Sequence, residues 1–328
     1  MSGETLLAVD DVKVHFRIAR PGALPWSQPD VLKAVDGVSF ELVEGETLGI
    51  VGESGCGKST LARAIMRMVP VEAGRVVWQG KDLLELDKTA MRSQRRKVQM
   101  IFQDPLASLD PRMTIGQIIA EPLKTHFPDL SRDEIRDRVR QVMERVGLLP
   151  NLVNRYPHEF SGGQCQRIGI ARALIMRPKL IICDEPVSAL DVSIQAQVIN
   201  LLMALQKEMG LTLIFIAHDL SVVKHISTRI MVLYLGNVVE LARSRDLYAH
   251  PRHPYTRALI SAVPIPDPKT ERSKKTIHLE GDLPSPIDPP SGCVFRTRCP
   301  KAQDVCARAR PVLEPAENGN LVACHFPD

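Results

Sequence analysis

No apolar run in this sequence approaches the roughly 20 residues that a membrane-crossing helix needs. The first residues carry early acids and no apolar core, so no secretory signal is expected. A net charge of +4 over 328 residues is too small for a strong field toward nucleic acid. The short basic clusters Arg95-Arg96-Lys97 and Lys274-Lys275 read as solvated faces. Internal repeats, low-complexity tracts and heptad arrays are missing. The seven cysteines include no CxxC pair of the kind that structural zinc sites use. What remains is an ordinary globular composition, 44% hydrophobic, long enough for one α/β domain plus an appendage. The chain is expected in the cytosol, with any membrane contact passing through a partner.

Two strings carry the chemistry. Residues 52–59 read Gly-Glu-Ser-Gly-Cys-Gly-Lys-Ser, which fits G-x-x-x-x-G-K-[ST] through Gly52, Gly57, Lys58 and Ser59. Leu48-Gly49-Ile50-Val51 before it suits a buried parallel strand, and Thr60 to Met66 after it holds helix formers and no breaker. The motif requires that context. Glycines let successive N–H groups turn inward, and the helix N-terminus adds partial positive charge. Lys58 is expected to reach the β- and γ-phosphates, and the Ser59 hydroxyl to ligate Mg²⁺. Ser54, Gly55, Cys56 and Thr60 complete the phosphate-contacting set.

The second string is Lys179-Leu180-Ile181-Ile182-Cys183, an apolar run that reads as a central parallel strand and ends in Asp184-Glu185. Carboxylates at such a strand end sit where open α/β sheets bind ligands. Asp184 is then the magnesium-side carboxylate, and Glu185 the general base for an attacking water. Together the strings imply binding and hydrolysis of a nucleoside triphosphate. Thr212-Leu213-Ile214-Phe215-Ile216 is another apolar strand, which would deliver His218 to the same sheet edge.

With those residues in place, Ser161-Gly162-Gly163-Gln164 resembles the signature motif of the ABC ATPases, with Phe160 where that family usually has Leu. Other elements resemble the family in order. Phe16 is similar to the aromatic residue that stacks on adenine, although a strand-core role also suits it. Gln103 matches the Q-loop, Ser188-Ala189-Leu190-Asp191 the D-loop, and His218 the residue that contacts the γ-phosphate. The resemblance spans about residues 6 to 265. It implies a P-loop α/β fold with a mostly parallel sheet, an antiparallel β subdomain and a helical insertion. It also implies ATP with Mg²⁺ held by Ser59, Gln103 and Asp184. The signature turn would then face a nucleotide held by a second ATPase subunit, and coupling helices of transmembrane subunits would dock near Gln103 and the insertion.

The chain divides, on composition, into an ATPase domain over 1–263 and a tail over 264–328. The helical insertion is expected at about 87–160. Within it, Ser131 and Glu134 form a capping box, and Ile135, Val139, Val142, Met143 and Val146 make one apolar stripe. A second helix is expected from Ser193 to Met209, stopped by Gly210. The segment 18–30 holds three prolines and lengthens the distance from Phe16 to the phosphate loop. Pro264, Pro266 and Pro268 open the tail, with Pro284, Pro286, Pro289 and Pro290 following.

Four cysteines, Cys293, Cys299, Cys306 and Cys324, cluster in that tail, while Cys56, Cys165 and Cys183 look like small fillers. In a reducing cytosol clustered thiols suit metal better than disulfides. A [4Fe–4S] cluster, zinc and unligated thiols all remain open, and His325 could stand in as a ligand. His253-Pro254-Tyr255-Thr256-Arg257-Ala258-Leu259 and the Cys-rich tail resemble the dipeptide/oligopeptide importer branch, some of whose members hold a [4Fe–4S] cluster there. That likeness implies the energising subunit of a peptide importer, peripheral on the cytoplasmic face of the inner membrane. Its partners would be a related, non-identical ATPase, two permease subunits and, indirectly, an external binding protein. Nickel and opine importers share the branch. A soluble ABC ATPase of DNA or ribosomes usually carries a long coiled coil or two ATPase domains, and this chain has neither.

Overall fold

The structure is a computed structural model that describes residues 4–19, 22, 28–264, 267–316 and 319–328. Pro21 and Pro25 of the 18–30 segment, and Pro266, lie outside the described residues. The chain forms two compact units, one of residues 1–43, 48–85 and 217–328, the other of 44–47 and 86–216.

In the first unit, the strands Thr5–Ile18 and Asp30–Val43 pair antiparallel, and Ala73–Trp78 pairs antiparallel on the other side of Thr5–Ile18. The burial of Thr5–Ile18 changes phase halfway. Leu7 and Val9 are buried, then Val12 and Val14. Between them Asp11 sits at φ 44°, and the pairing shifts register on both sides. One extra residue at this bulge swaps the face to which alternate side chains point.

The strand Thr47–Val51, from Leu48 onward, runs parallel to Arg229–Tyr234 in the same unit, pairing Leu48 with Arg229 and Val51 with Val232. Its residues are all buried, as a parallel strand covered on both faces requires. Arg229–Tyr234 turns back as Asn237–Arg243, antiparallel. The tail strand Leu321–Val322 then adds to Asn237–Arg243, and Glu314–Pro315 to Leu321–Val322. The tail, within residues 217–328, clusters with this unit.

In the second unit, Val98–Ile101, Leu180–Asp184 and Thr212–Ile216 form parallel ladders, with Val98 paired to Leu180 and Leu180 to Thr212. The expected insertion is helical at Lys88–Arg95, Ile115–His126 and Arg132–Arg145, but it also contains the strand Val98–Ile101. Four apolar-leaning residues are too few to show a period. The capping box at Ser131 forms: Glu134 N–H donates to Ser131 Oγ at 3.2 Å, and Ser131 N–H to Glu134 Oε2 at 2.9 Å. Val139, Val142, Met143 and Val146 are buried and Ile135 half-buried. The later helix runs Val192–Met209 and ends at Gly210 in the left-handed region, φ 65°.

Candidate functional site

In the first unit, the turn after Thr47–Val51 leads into the helix Lys58–Ile65. Gly52 has φ 153° and Gly57 φ 102°. A Cβ on Gly52 would sit 2.2 Å from the Leu233 carbonyl oxygen, and one on Gly57 2.1 Å from that of Ala34. Only glycine fits either place. The residue before the helix is Gly57, which makes no side-chain cap bond, and a helix N-terminus attracts anions. Lys58 is 3% exposed, and its ammonium donates to the carbonyls of Gly52 at 2.9 Å and Glu53 at 3.0 Å. The charge is thus held over the loop by partners that a phosphate could replace. Cys56 is buried, and burial raises its thiol despite the Lys58 charge, which matches a filler.

Three side chains brace this loop that the sequence did not point to. Tyr255 Oη accepts the Glu53 N–H at 2.9 Å. Arg298 Nη1 donates to Glu53 Oε2 at 2.8 Å. Beneath them Phe295 lies edge-on to Tyr234 at 5.2 Å and tilted against Tyr255 at 5.5 Å and His253 at 5.4 Å. Tyr255 lies in the seven-residue motif that marked the importer branch. Arg298 is 245 residues from Glu53, and no local pattern signals the pair.

His218 is exposed, just before Asp219, which caps the helix Leu220–Ile226 by accepting from Ser221 N–H at 2.7 Å. Phe16 pairs with Leu32 and is only half-buried, so its ring does not fill the core.

In the second unit, Asp184 ends the buried strand and is 1% exposed. Glu185 follows in the left-handed region at φ 46°, rare for a residue with a Cβ. Its N–H donates to the Ile216 carbonyl at 3.1 Å, which fixes the turn. Gln103 Nε2 donates to Glu185 Oε2 at 2.9 Å. The structure therefore brings the Q-loop amide and the expected base into direct contact. Ser161 caps the helix Gly162–Leu174 in a second capping box, with Gln164 Oε1 accepting the Ser161 N–H at 3.0 Å. Ser161, Gly162 and Gln164 are exposed and Gly163 half-buried. Asp191, also exposed, begins Val192–Met209 without a side-chain cap bond.

Burial raises the thiols of Cys293, Cys299 and Cys324, the last to about 11, and neighbouring tail thiols add to each shift: Cys306 and Cys299 to that of Cys293, Cys306 to that of Cys299, and Cys293, Cys299 and Cys306 to that of Cys324. Cys293 N–H donates to the Cys306 carbonyl at 2.7 Å. Among the described residues no three His, Cys, Asp or Glu side chains stand as ligands of a metal ion, so the geometry supports neither zinc nor an iron–sulfur cluster at these thiols. His325 directs Nε2 to the Ala309 carbonyl at 3.0 Å. No helix among the described residues is long and apolar enough to cross a membrane.

A model of the ABC transporter family matches residues 35–188, and one of the oligopeptide/dipeptide transporter C-terminal region matches 239–306. The chain is 68% identical over 311 residues to the oligopeptide transport ATP-binding protein OppF of Salmonella typhimurium, covering 95% of this chain and 93% of that one. It is 63% identical over 321 residues to OppF of Haemophilus influenzae, covering 98% and 97%. Among solved structures it is similar to the ATP-binding cassette MJ0796, a dimer bound to ADP and Pi, with TM-score 0.65 and 29% identity over 73% of this chain and 99% of that one.

Proposed function

This chain belongs to the ABC transporter family, in its oligopeptide/dipeptide branch, and on that premise we propose that it is the ATP-hydrolysing subunit that energises a membrane importer of short peptides. One observation carries the reading. A buried Lys58 and a helix N-terminus make an anion seat, in a chain that continues into a peptide-transporter C-terminal region.

Adenine stacks on Phe16. The triphosphate takes the amides of Gly52 to Thr60, with Ser54, Gly55 and Cys56 among them, and Lys58 exchanges its carbonyl partners for phosphate oxygens. The hydroxyl of Ser59, the amide oxygen of Gln103 and the carboxylate of Asp184 are the hard donors that suit Mg²⁺, which when bound offsets charge developing on the phosphates. Glu185 takes the proton of the attacking water, and His218 holds the γ-phosphate. The Gln103–Glu185 hydrogen bond supports this reading, because it joins the metal-side amide to the base.

Ser161, Gly162, Gly163 and Gln164, with Asp191, serve the nucleotide of a second ATPase subunit, a related but non-identical chain. Closure on ATP pulls on two transmembrane permease subunits, and hydrolysis reopens the pair. An external binding protein delivers the peptide. The chain works at the cytoplasmic face of the inner membrane as a peripheral subunit. Cys293, Cys299, Cys306 and Cys324 are assigned to a [4Fe–4S] cluster acting as a structural staple, a reading that rests on thiol chemistry and on the resemblance of the tail to the importer branch, and not on a ligand geometry among the described residues. The ATPase domain keeps the bounds 1–263, with 264–328 as its appendage.

The test is to isolate the complex from membranes through a tag on this chain, weigh its subunits and reconstitute it in vesicles with the external binding protein. Two multi-span subunits, a second ATPase and ATP turnover stimulated by di- to pentapeptides are expected. Stimulation by nickel or an opine in place of every peptide would overturn the cargo, and co-isolation with ribosomes or DNA the transport role.

A further inference from the structure

The Cys-rich tail reaches the phosphate loop through one side chain. Arg298 stands between Phe295 and Cys299, with its side chain 10% exposed, and its guanidinium carbon lies 6.0 Å from the Tyr234 ring centroid. It donates to the carboxylate of Glu53, the residue directly after the first glycine of the phosphate loop. All three polar groups of Glu53 are occupied. Its N–H goes to Tyr255, its carbonyl accepts from Lys58, and its carboxylate accepts from Arg298. If Lys58 turns to phosphate, as the proposed function requires, its hydrogen bond to the carbonyl is given up. The Cys56 N–H would still reach that carbonyl, at 3.3 Å, and Tyr255 and Arg298 would hold the amide and the carboxylate.

The charge at this place is unfavourable by itself. A carboxylate inside a loop that must receive a triphosphate repels its ligand unless a cation neutralises it. Lys58 hydrogen-bonds the carbonyl and not the carboxylate, and its charge is the one that a phosphate would claim. Arg298 neutralises the carboxylate, with a charge-assisted hydrogen bond from a largely buried side chain. Phe295, fully buried among Tyr234, Tyr255 and His253, fixes the short turn Arg296–Arg298 that delivers it.

We propose that Arg298 is a positioning residue for nucleotide binding: it neutralises Glu53 and holds it in place, so that the tail sets the affinity of the phosphate loop for ATP. This rests on the reading that residues 52–59 bind ATP, and the experiment separates the two.

Binding of Mg-ATP is measured calorimetrically on the full chain, and KM and kcat on the assembled transporter. The wild type must bind and Lys58→Ala must not, or the nucleotide reading itself fails. Given that, Arg298→Met is expected to weaken ATP binding about tenfold and raise KM in step, with kcat unchanged. On a Glu53→Gln background, whatever affinity that substitution leaves, Arg298→Met should cost nothing further. Wild-type affinity in Arg298→Met would overturn the proposal. So would an equal loss on both backgrounds, which would make Arg298 a mere tail anchor. Should Arg298→Met fail to fold, Arg298→Lys carries the same comparison: a smaller loss that Glu53→Gln abolishes supports the proposal, and one that persists overturns it.

Discussion

Glu185 is the residue we assign as the general base, and its backbone is the unusual part. A left-handed φ of 46° on a residue with a Cβ costs on the order of 1 kcal/mol or more, and the hydrogen bond from its N–H to Ile216 holds it there. The strained turn aims the carboxylate away from the strand, where Gln103 meets it. Glu185→Gln keeps the shape and the turn but removes the base. It should bind ATP as the wild type does, lose turnover by about 10²-fold or more, and accumulate as a closed complex with the second ATPase subunit. Size-exclusion chromatography with ATP, beside a phosphate-release assay, checks both halves. Turnover within a few-fold of wild type would show that another group takes the proton.

At the scale of elements, the motif His253 to Leu259 opens a short helix that ties the tail to the sheet. His253 caps the helix Pro254–Ala262, its Nδ1 accepting the Tyr255 N–H at 3.1 Å. Its own N–H and that of Arg252 go to the buried Glu240 carboxylate, both at 2.9 Å. Burial pushes the His253 imidazole down to about 3, against the smaller opposing charge of Asp328. In the unfolded chain the ring takes its proton near the usual value of about 6.5. Its contribution is therefore complete above about pH 6.5 and falls by about 1.4 kcal/mol per pH unit below it, down toward the folded value. Glu240, which burial raises, shifts in the opposite sense and partly offsets the loss toward acid. His253→Asn keeps a capping acceptor without a titrating ring. Its urea midpoint should vary less with pH between 6.5 and 5.5 than that of the wild type, and equal slopes would remove His253 from the account.

The same elements mark what a sequence can disclose. The phosphate loop, the strand ending in Asp184 and the capping box at Ser131 were legible, because each is a local pattern with a local cause. The bulge at Asp11 and the strand Val98–Ile101 were not, since one depends on register and the other is too short for a period. Nor was the contact of Gln103 with Glu185 or of Arg298 with Glu53. Those pairs join residues far apart in the chain, and only the folded topology brings them together.

At the scale of the whole molecule, the tail poses the energetic question. Among the described residues of 290–328 the buried apolar side chains are Phe295, Val322 and Ala323, beside the thiols of Cys293 and Cys306. So small a core rarely holds a segment in place without a staple. The free thiols do not ionise readily there: Cys324 is pushed up to about 11 by burial, and its neighbours are raised too. Uptake of a cationic iron–sulfur core would replace four thiol protons by metal bonds and convert that cost into binding energy linked to folding. Protein prepared without oxygen should therefore carry iron and acid-labile sulfide in equal amounts, about four of each per chain if the [4Fe–4S] assignment holds. It should also show visible charge-transfer absorbance. Cys306→Ser should lose the iron and lower the thermal midpoint by several degrees, because a single domain of this kind shifts by about 2–4 °C per kcal/mol. Iron-free protein with the wild-type midpoint would leave the tail held without a cluster, by Phe295, the Leu321–Val322 ladder and the ion pairs of Arg298 with Glu53, Arg310 with Asp36 and Asp328 with Arg257 and Lys301.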